Sequence, residues 1–203
     1  MKAFVLAEPG KVKWFDAPEP QLVPYGAILK PVAVTPCSSD VHTVFGGGSK
    51  KQDNLVLGHE CIAEVVSVGE NVCDFKTGDR VAVPAITPDW REKSIQEGND
   101  RHASAPFSGH QLGRTQPGVF SERFLIKDAD TTLAHIPQKI SEEQALMSVD
   151  VVTTGFTGAE YADIKIGDTV CVIGIGPIGL MAVAGAKLRG APRLLAHNLI
   201  QVP

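Results

Sequence analysis

From Thr169 to Ile175 the chain is almost unbroken apolar, and it overlaps Gly174-x-Gly176-x-x-Gly179 before a further apolar stretch to Leu188. No other feature restricts the fold as tightly. Fed by the Gly167-Asp168 turn, the apolar run predicts a strand buried on both faces. Pro177 suits a first helical position, and Gly190 followed by Pro192 suits the helix end, with Lys187 and Arg189 favouring the dipole there. Arg193 to Ala196 then opens a second, parallel strand. Between a strand and a helix, the glycine fingerprint has a physical meaning. The first glycine makes the tight turn, the second lets backbone approach a pyrophosphate, and the third lets the helix pack closely on the strand. The helix N-terminus supplies N–H groups and partial positive charge for the phosphates. Gly174, Gly176, Pro177, Ile178 and Gly179 are therefore the candidate dinucleotide-binding residues. A carboxylate reading the ribose of NAD belongs at the end of the second strand. After Asp168 there is no Asp or Glu, and His197 and Asn198 offer neither a carboxylate nor an arginine.

Upstream, to about residue 135, short runs rich in Val and Ile are punctuated by Gly and Pro, as in AILKPVAVTPC (27–37), LGHECIAEVVSVG (57–69), DRVAVPAI (79–86) and VFSERFLI (119–126). Many short strands at this spacing predict a barrel or sandwich. Between Pro84 and Gly118 the regularity fails, which reads as a functional loop or a solvated excursion. Ser141-Glu142-Glu143-Gln144 fits a capping box that opens a helical stretch to about Asp163, with a break near Thr153-Thr154-Gly155. A formal net charge of −4, with no basic cluster, gives no electrostatic case for nucleic acid. No apolar run is long enough to span a membrane, and the first residues lack a signal-peptide core. Cys37, Cys61, Cys73 and Cys171 form no C-x-x-C pair, which points to free thiols or a metal ligand and a cytoplasmic address.

His59 and Glu60 stand side by side at the head of an apolar run. Taken alone, His59 reads as an ordinary strand residue and Cys37 as a small buried hydrophobe. Asp150, set in Ser-Val-Asp-Val-Val, says more, because a buried carboxylate wants a cation or donors. Thiolate, imidazole and carboxylate are all zinc ligands, and three of them with one open position is the catalytic arrangement. Their separations form no local motif, so spacing alone does not assemble them.

VTPCSSDVHTVF, GHECIAEVVSVGENV, FKTGDRVAVPAITPDW and GIGPIGLMAVAGAKLRGA together resemble the zinc-dependent medium-chain alcohol dehydrogenases. Within that family the chain is most similar to the NADP-linked secondary-alcohol dehydrogenases, from Met1 to about Ala196. The resemblance implies a mixed α/β protein: a chaperonin-10-like (GroES-like) β-barrel catalytic domain over 1–150, then the first βαβ portion of a Rossmann domain over 151–203. It implies one catalytic zinc on Cys37, His59 and Asp150, with Glu60 as an exchangeable fourth ligand or close neighbour. Ser39 and His42 match proton-relay positions, and Thr154 falls beside the nicotinamide. NADP is the implied cofactor in preference to NAD. The partners implied are a small alcohol or ketone, with a homotetramer for an intact chain.

Four departures accompany the likeness. Ala63 replaces a glycine of the zinc signature, which a methyl tolerates if φ is negative. His110 stands where near relatives carry a tryptophan, leaving the alcohol preference open. Residues 84–118 contain no cysteine, so no second, structural zinc is expected. After Ala196 the likeness stops, and Asn198-Leu199-Ile200 replaces a Gly-Ser-Arg run that reads the 2′-phosphate. That change is expected of a reading frame cut short, whose product binds NADP poorly. A zinc-binding barrel without a productive cofactor site, and a polyol or amino-alcohol dehydrogenase, are the alternative readings.

Overall fold

The computed structural model describes residues 1–46, 54–87, 89–98 and 109–198. It divides into two compact units, Met1–Leu146 and Met147–Pro203. The first contains β1 (Lys2–Glu8), β2 (Lys11–Asp16), β3 (Ala27–Thr35), α1 (Ser38–Phe45), β4 (Leu55–Val56), β5 (Glu60–Val68), β6 (Arg80–Val83), α2 (Lys93–Gln96), β7 (Phe124–Ile126), α3 (Ala129–Thr132) and β8 (Ala134–His135). Helix α4 (Glu142–Met147) closes it. Two antiparallel sheets result, ordered β2-β1-β4 and β7-β3-β5-β6-β8.

The β-rich runs become strands because their alternate residues share one core. Leu29 of β3, Val65 of β5, Val81 and Val83 of β6, and Phe124 and Ile126 of β7 all bury their side chains in it. Each such burial stabilises by about 1.5–3 kcal/mol before ordering costs. Ala63 pairs with Pro31 and Val81, is fully buried, and keeps a negative φ, so its methyl is accommodated. The run expected as a strand over 119–126 is one only at Phe124–Ile126. Val119 and Phe120 instead donate to the Gly58 and Leu57 carbonyls, at 3.0 and 2.9 Å. These bonds occupy the backbone groups that a longer β7 would have offered to β3.

Cys61 and Cys73 show how burial controls thiol chemistry in this unit. Cys61 is fully buried, and desolvation pushes its thiol well above the ordinary range, whereas Cys73 is exposed. A thiol reagent at neutral pH is expected to label Cys73 rapidly and Cys61 only on unfolding. Peptide mapping that found both labelled at equal rates in the native chain would contradict this.

The second unit holds a π-helical turn (Ser148–Val152), α5 (Thr153–Tyr161), β9 (Thr169–Ile173), α6 (Pro177–Leu188) and β10 (Arg193–His197). The capping box ahead of α4 forms as read: Ser141 N–H donates to Gln144 Oε1 at 3.1 Å, and Gln144 N–H to Ser141 Oγ at 3.3 Å. The expected break at Thr153-Thr154-Gly155 does not occur, since α5 runs through it. Gly155 is there for a close approach instead. A Cβ on it would lie 2.5 Å from Met181 Cβ and 2.7 Å from the Ile178 carbonyl oxygen of α6. The irregularity falls one turn earlier, in the π-helical segment.

β9 and β10 pair in parallel around α6, with Thr169 opposite Arg193 and Ile173 opposite His197. Pro177 takes the first helical position, and Gly190 adopts φ +99° just past the last helical turn. Within the residues present, one face of β9 is covered. Val170 and Val172 are half-buried, whereas Thr169, Cys171 and Ile173 are exposed. The alternation is that of a strand packed on one face only. Among the described residues no helix is long and apolar enough to cross a membrane.

A candidate metal centre and a glycine loop

β3 and β5 pair antiparallel with Thr35 opposite Glu60. That register carries Cys37, just beyond β3, to His59 and Glu60 at the start of β5. Cys37 sits at the N-terminus of α1 with extended backbone, φ −98° and ψ 156°. Its N–H donates to Asp40 Oδ2 at 2.9 Å, fixing where the thiol starts. Gly58, at φ +89°, turns the chain into β5 and donates its N–H to Asp40 Oδ1 at 3.2 Å.

His59 and Glu60 are only 2% and 3% exposed. Asp40 Oδ1 lies 3.4 Å from His59 Nδ1, which leaves Nε2 facing Ser39 Oγ at 3.3 Å and Glu60 Oε1 at 3.7 Å. One donor atom from each of Cys37, His59 and Glu60 lies within 4.8 Å of the other two. Nitrogen and oxygen ligands at about 2.0–2.1 Å on a tetrahedral ion stand about 3.4 Å apart, close to the 3.7 Å between Nε2 and Oε1. A thiol, an imidazole and a buried carboxylate converging at that spacing fit a zinc-like cation. A carboxylate buried this deeply needs charged or hydrogen-bonding partners, which a purely hydrophobic core does not supply.

Asp40 escaped the sequence reading, although an acid three residues after a helix start is the pattern of a reciprocal cap. It is 7% exposed. Burial alone raises its carboxyl, but contact with His59 and the Cys37 and Gly58 N–H groups outweighs that and holds it below the ordinary carboxylate value. A carboxylate on the far nitrogen of a ligating histidine fixes its tautomer and ring orientation. Replacing Asp40 with asparagine is expected to weaken zinc binding by about 10–100-fold. Competition with a chelator checks this, and an unchanged affinity would reduce Asp40 to a helix cap.

The other expected site residues divide between the units. Ser39 and His42 lie three apart on α1, hence on one face, with Ser39 half-buried and His42 exposed. Asp150 lies in the π-helical turn of the second unit and is half-buried, less enclosed than its apolar neighbours suggested. Thr154 donates its hydroxyl to Asp150 Oδ1 at 2.5 Å, and Thr153 donates to the Asp150 carbonyl at 2.8 Å.

In the glycine loop, Gly174 adopts φ +93° and donates its N–H to the His197 carbonyl at 2.8 Å. Ile175 N–H reaches Asn198 Oδ1 at 3.4 Å. Gly176 precedes Pro177 at the head of α6, and a Cβ there would meet nothing within 4 Å. Gly179 is buried, and a Cβ on it would fall 1.9 Å from the Gly174 carbonyl oxygen. Pro177 and Ile178 are exposed beside it. Leu199 and Ile200, together with Pro88 and residues 99–108 of the cysteine-free stretch, lie outside the described residues.

Residues 24–138 match the alcohol dehydrogenase GroES-like domain family. The chain belongs to that family. It is 53% identical, over 97% of its length, to an NADP-dependent isopropanol dehydrogenase of Thermoanaerobacter brockii, and 48% identical over 96% to one of Clostridium beijerinckii. It spans 56% of the length of each of these relatives. A solved zinc-dependent alcohol dehydrogenase 2 from Streptococcus pneumonia in its apo form superposes with a TM-score of 0.86 at 29% identity. That likeness covers 97% of this chain and 55% of that one.

Proposed function

We propose that the chain supplies the zinc centre and the opening of the cofactor site of an NADP-dependent secondary-alcohol dehydrogenase, with a small alcohol or ketone as substrate. The observation that carries the reading is the convergence of Cys37, His59 and buried Glu60 donors within 4.8 Å. Cys37, His59 and Asp150 would hold one zinc, with Glu60 as the exchangeable fourth ligand. A zinc held by them would act as a Lewis acid toward an alcohol oxygen. Asp40 holds the His59 ring from behind through Nδ1. Ser39, whose hydroxyl is 3.3 Å from His59 Nε2, would accept the substrate's proton, and exposed His42 one turn on would release it. Thr154 would flank the nicotinamide. We assign residues 1–150 to the catalytic domain and 151–203 to the start of a Rossmann domain, and expect the whole protein to be a cytoplasmic homotetramer.

NADP would supply the hydride acceptor, bound across Gly174, Gly176, Pro177, Ile178 and Gly179. The open space at Gly176 is the room such a pyrophosphate needs. In the complete protein, Gly176→Ala is expected to leave thermal stability unchanged while weakening NADP binding about tenfold or more, because the methyl intrudes only on the ligand. Equal NADP affinity in the variant, read by fluorescence titration, would remove the loop from the cofactor site. The direct test of the whole reading is zinc-dependent oxidation of 2-propanol by the complete protein. Activity that persisted in the zinc-free protein would refute it.

A further inference from the structure

Asp150, a proposed zinc ligand, sits at the middle of the π-helical turn Ser148–Val152. Turns of that kind are rare and concentrate at functional sites. A short carboxylate on a helix keeps two side-chain freedoms, a staggered χ1 and a broad, nearly twofold χ2. A ligand that can present either oxygen, at a range of angles, loses that freedom when it takes a cation. The two residues that follow the turn remove it beforehand.

Thr153 acts on the backbone. Its N–H and its hydroxyl both donate to the Asp150 carbonyl, the hydroxyl at 2.8 Å. That carbonyl, four residues back, is a usual partner for the hydroxyl of a threonine at position 154 of a helix. Thr153 occupies it twice over, and the Thr154 hydroxyl turns to the side chain instead, donating to Asp150 Oδ1 at 2.5 Å. A hydroxyl on a carboxylate at that distance makes a short, charge-assisted bond. The donor is itself stiff, because a β-branched residue has few χ1 wells in a helix. We infer that Thr154 is a positioning residue for the metal, its hydroxyl fixing the plane of the Asp150 carboxylate before a cation arrives. This rests on the zinc centre proposed above and on Asp150 belonging to it. It gives Thr154 a task separate from flanking the nicotinamide, and that task is readable with no cofactor present. A partner that orients a metal ligand is worth about 10–100-fold in metal affinity.

Cobalt(II) in place of zinc gives visible bands that respond to the ligands around the ion, so the site is read without turnover. The complete protein, stripped of metal and free of NADP and alcohol, is titrated with cobalt(II) against a competing chelator. Two variants separate the parts of the side chain. Thr154→Val keeps the branched shape and loses the hydroxyl, whereas Thr154→Ser keeps the hydroxyl and loses the methyl. Thr154→Val is expected to bind cobalt about 10–100-fold more weakly, with altered bands. Thr154→Ser should stay close to the native protein in both. Native affinity and native bands in Thr154→Val overturn the inference and leave the metal centre standing. So does a loss in Thr154→Ser as large as that in Thr154→Val, which places the effect in the helix and not in the hydroxyl. A native protein that takes up no cobalt overturns the metal centre and this inference with it.

Discussion

Cys37→Ser is expected to lower zinc affinity by about two to three orders of magnitude while leaving the metal-free fold intact. Zinc held by four protein ligands is worth about 10–16 kcal/mol, so one ligand accounts for about 2.5–4 kcal/mol, or about 60- to 900-fold. Serine cannot replace a thiolate here, because its hydroxyl stays protonated near neutral pH and offers no charge. The fold should survive because Cys37 holds its place through backbone: an extended φ and ψ, and an N–H bonded to Asp40. Serine favours that helix-capping position. Circular dichroism of the metal-free variant should therefore match the native chain. Full zinc occupancy in the variant would take Cys37 out of the ligand set.

Gly179→Val is expected to unfold the β9–α6–β10 unit and leave the first unit folded. The added Cβ would fall 1.9 Å from the Gly174 carbonyl oxygen, a backbone atom that cannot swing aside. Moving it would disturb the turn at φ +93° and the bond from Gly174 N–H to the His197 carbonyl, which ties the loop to the end of β10. Forced overpacking of this kind costs about 3 kcal/mol or more, a large share of what a small unit has. Amide hydrogen exchange reads the two units separately. Protection should vanish over Thr169–Ile173 and Pro177–Leu188 and persist over β3 and β5. Undiminished protection in α6 would mean that the loop relaxes freely. The contrast with the open space at Gly176 separates a glycine needed by the fold from one with room for a ligand.

Much of the local architecture was legible because its causes are local. The Ser141 and Gln144 cap, Pro177 at the start of α6, and Gly190 at its end each follow from one residue's hydrogen bonding or backbone freedom. Gly155 misled because a glycine inside an apolar helix reads as a break, whereas its cause is a neighbouring helix distant in sequence. Cys37 and His59 carry no joint signal at all. They meet through the Thr35 and Glu60 register, a long-range pairing that only the resemblance anticipated. Asp40 carried a local signal, an acid placed to cap α1, but its second role against His59 depends on that same pairing.

X-ray absorption at the zinc edge, with elemental analysis of the same sample, addresses the proposed metal centre most directly. The expected result is about one zinc per chain, with one sulfur at about 2.3 Å and the remaining ligands nitrogen or oxygen at about 2.0–2.2 Å. Cys37→Ser should remove the sulfur shell. A zinc-free chain after reconstitution, a four-sulfur shell, or a sulfur shell that persists in Cys37→Ser would contradict the account.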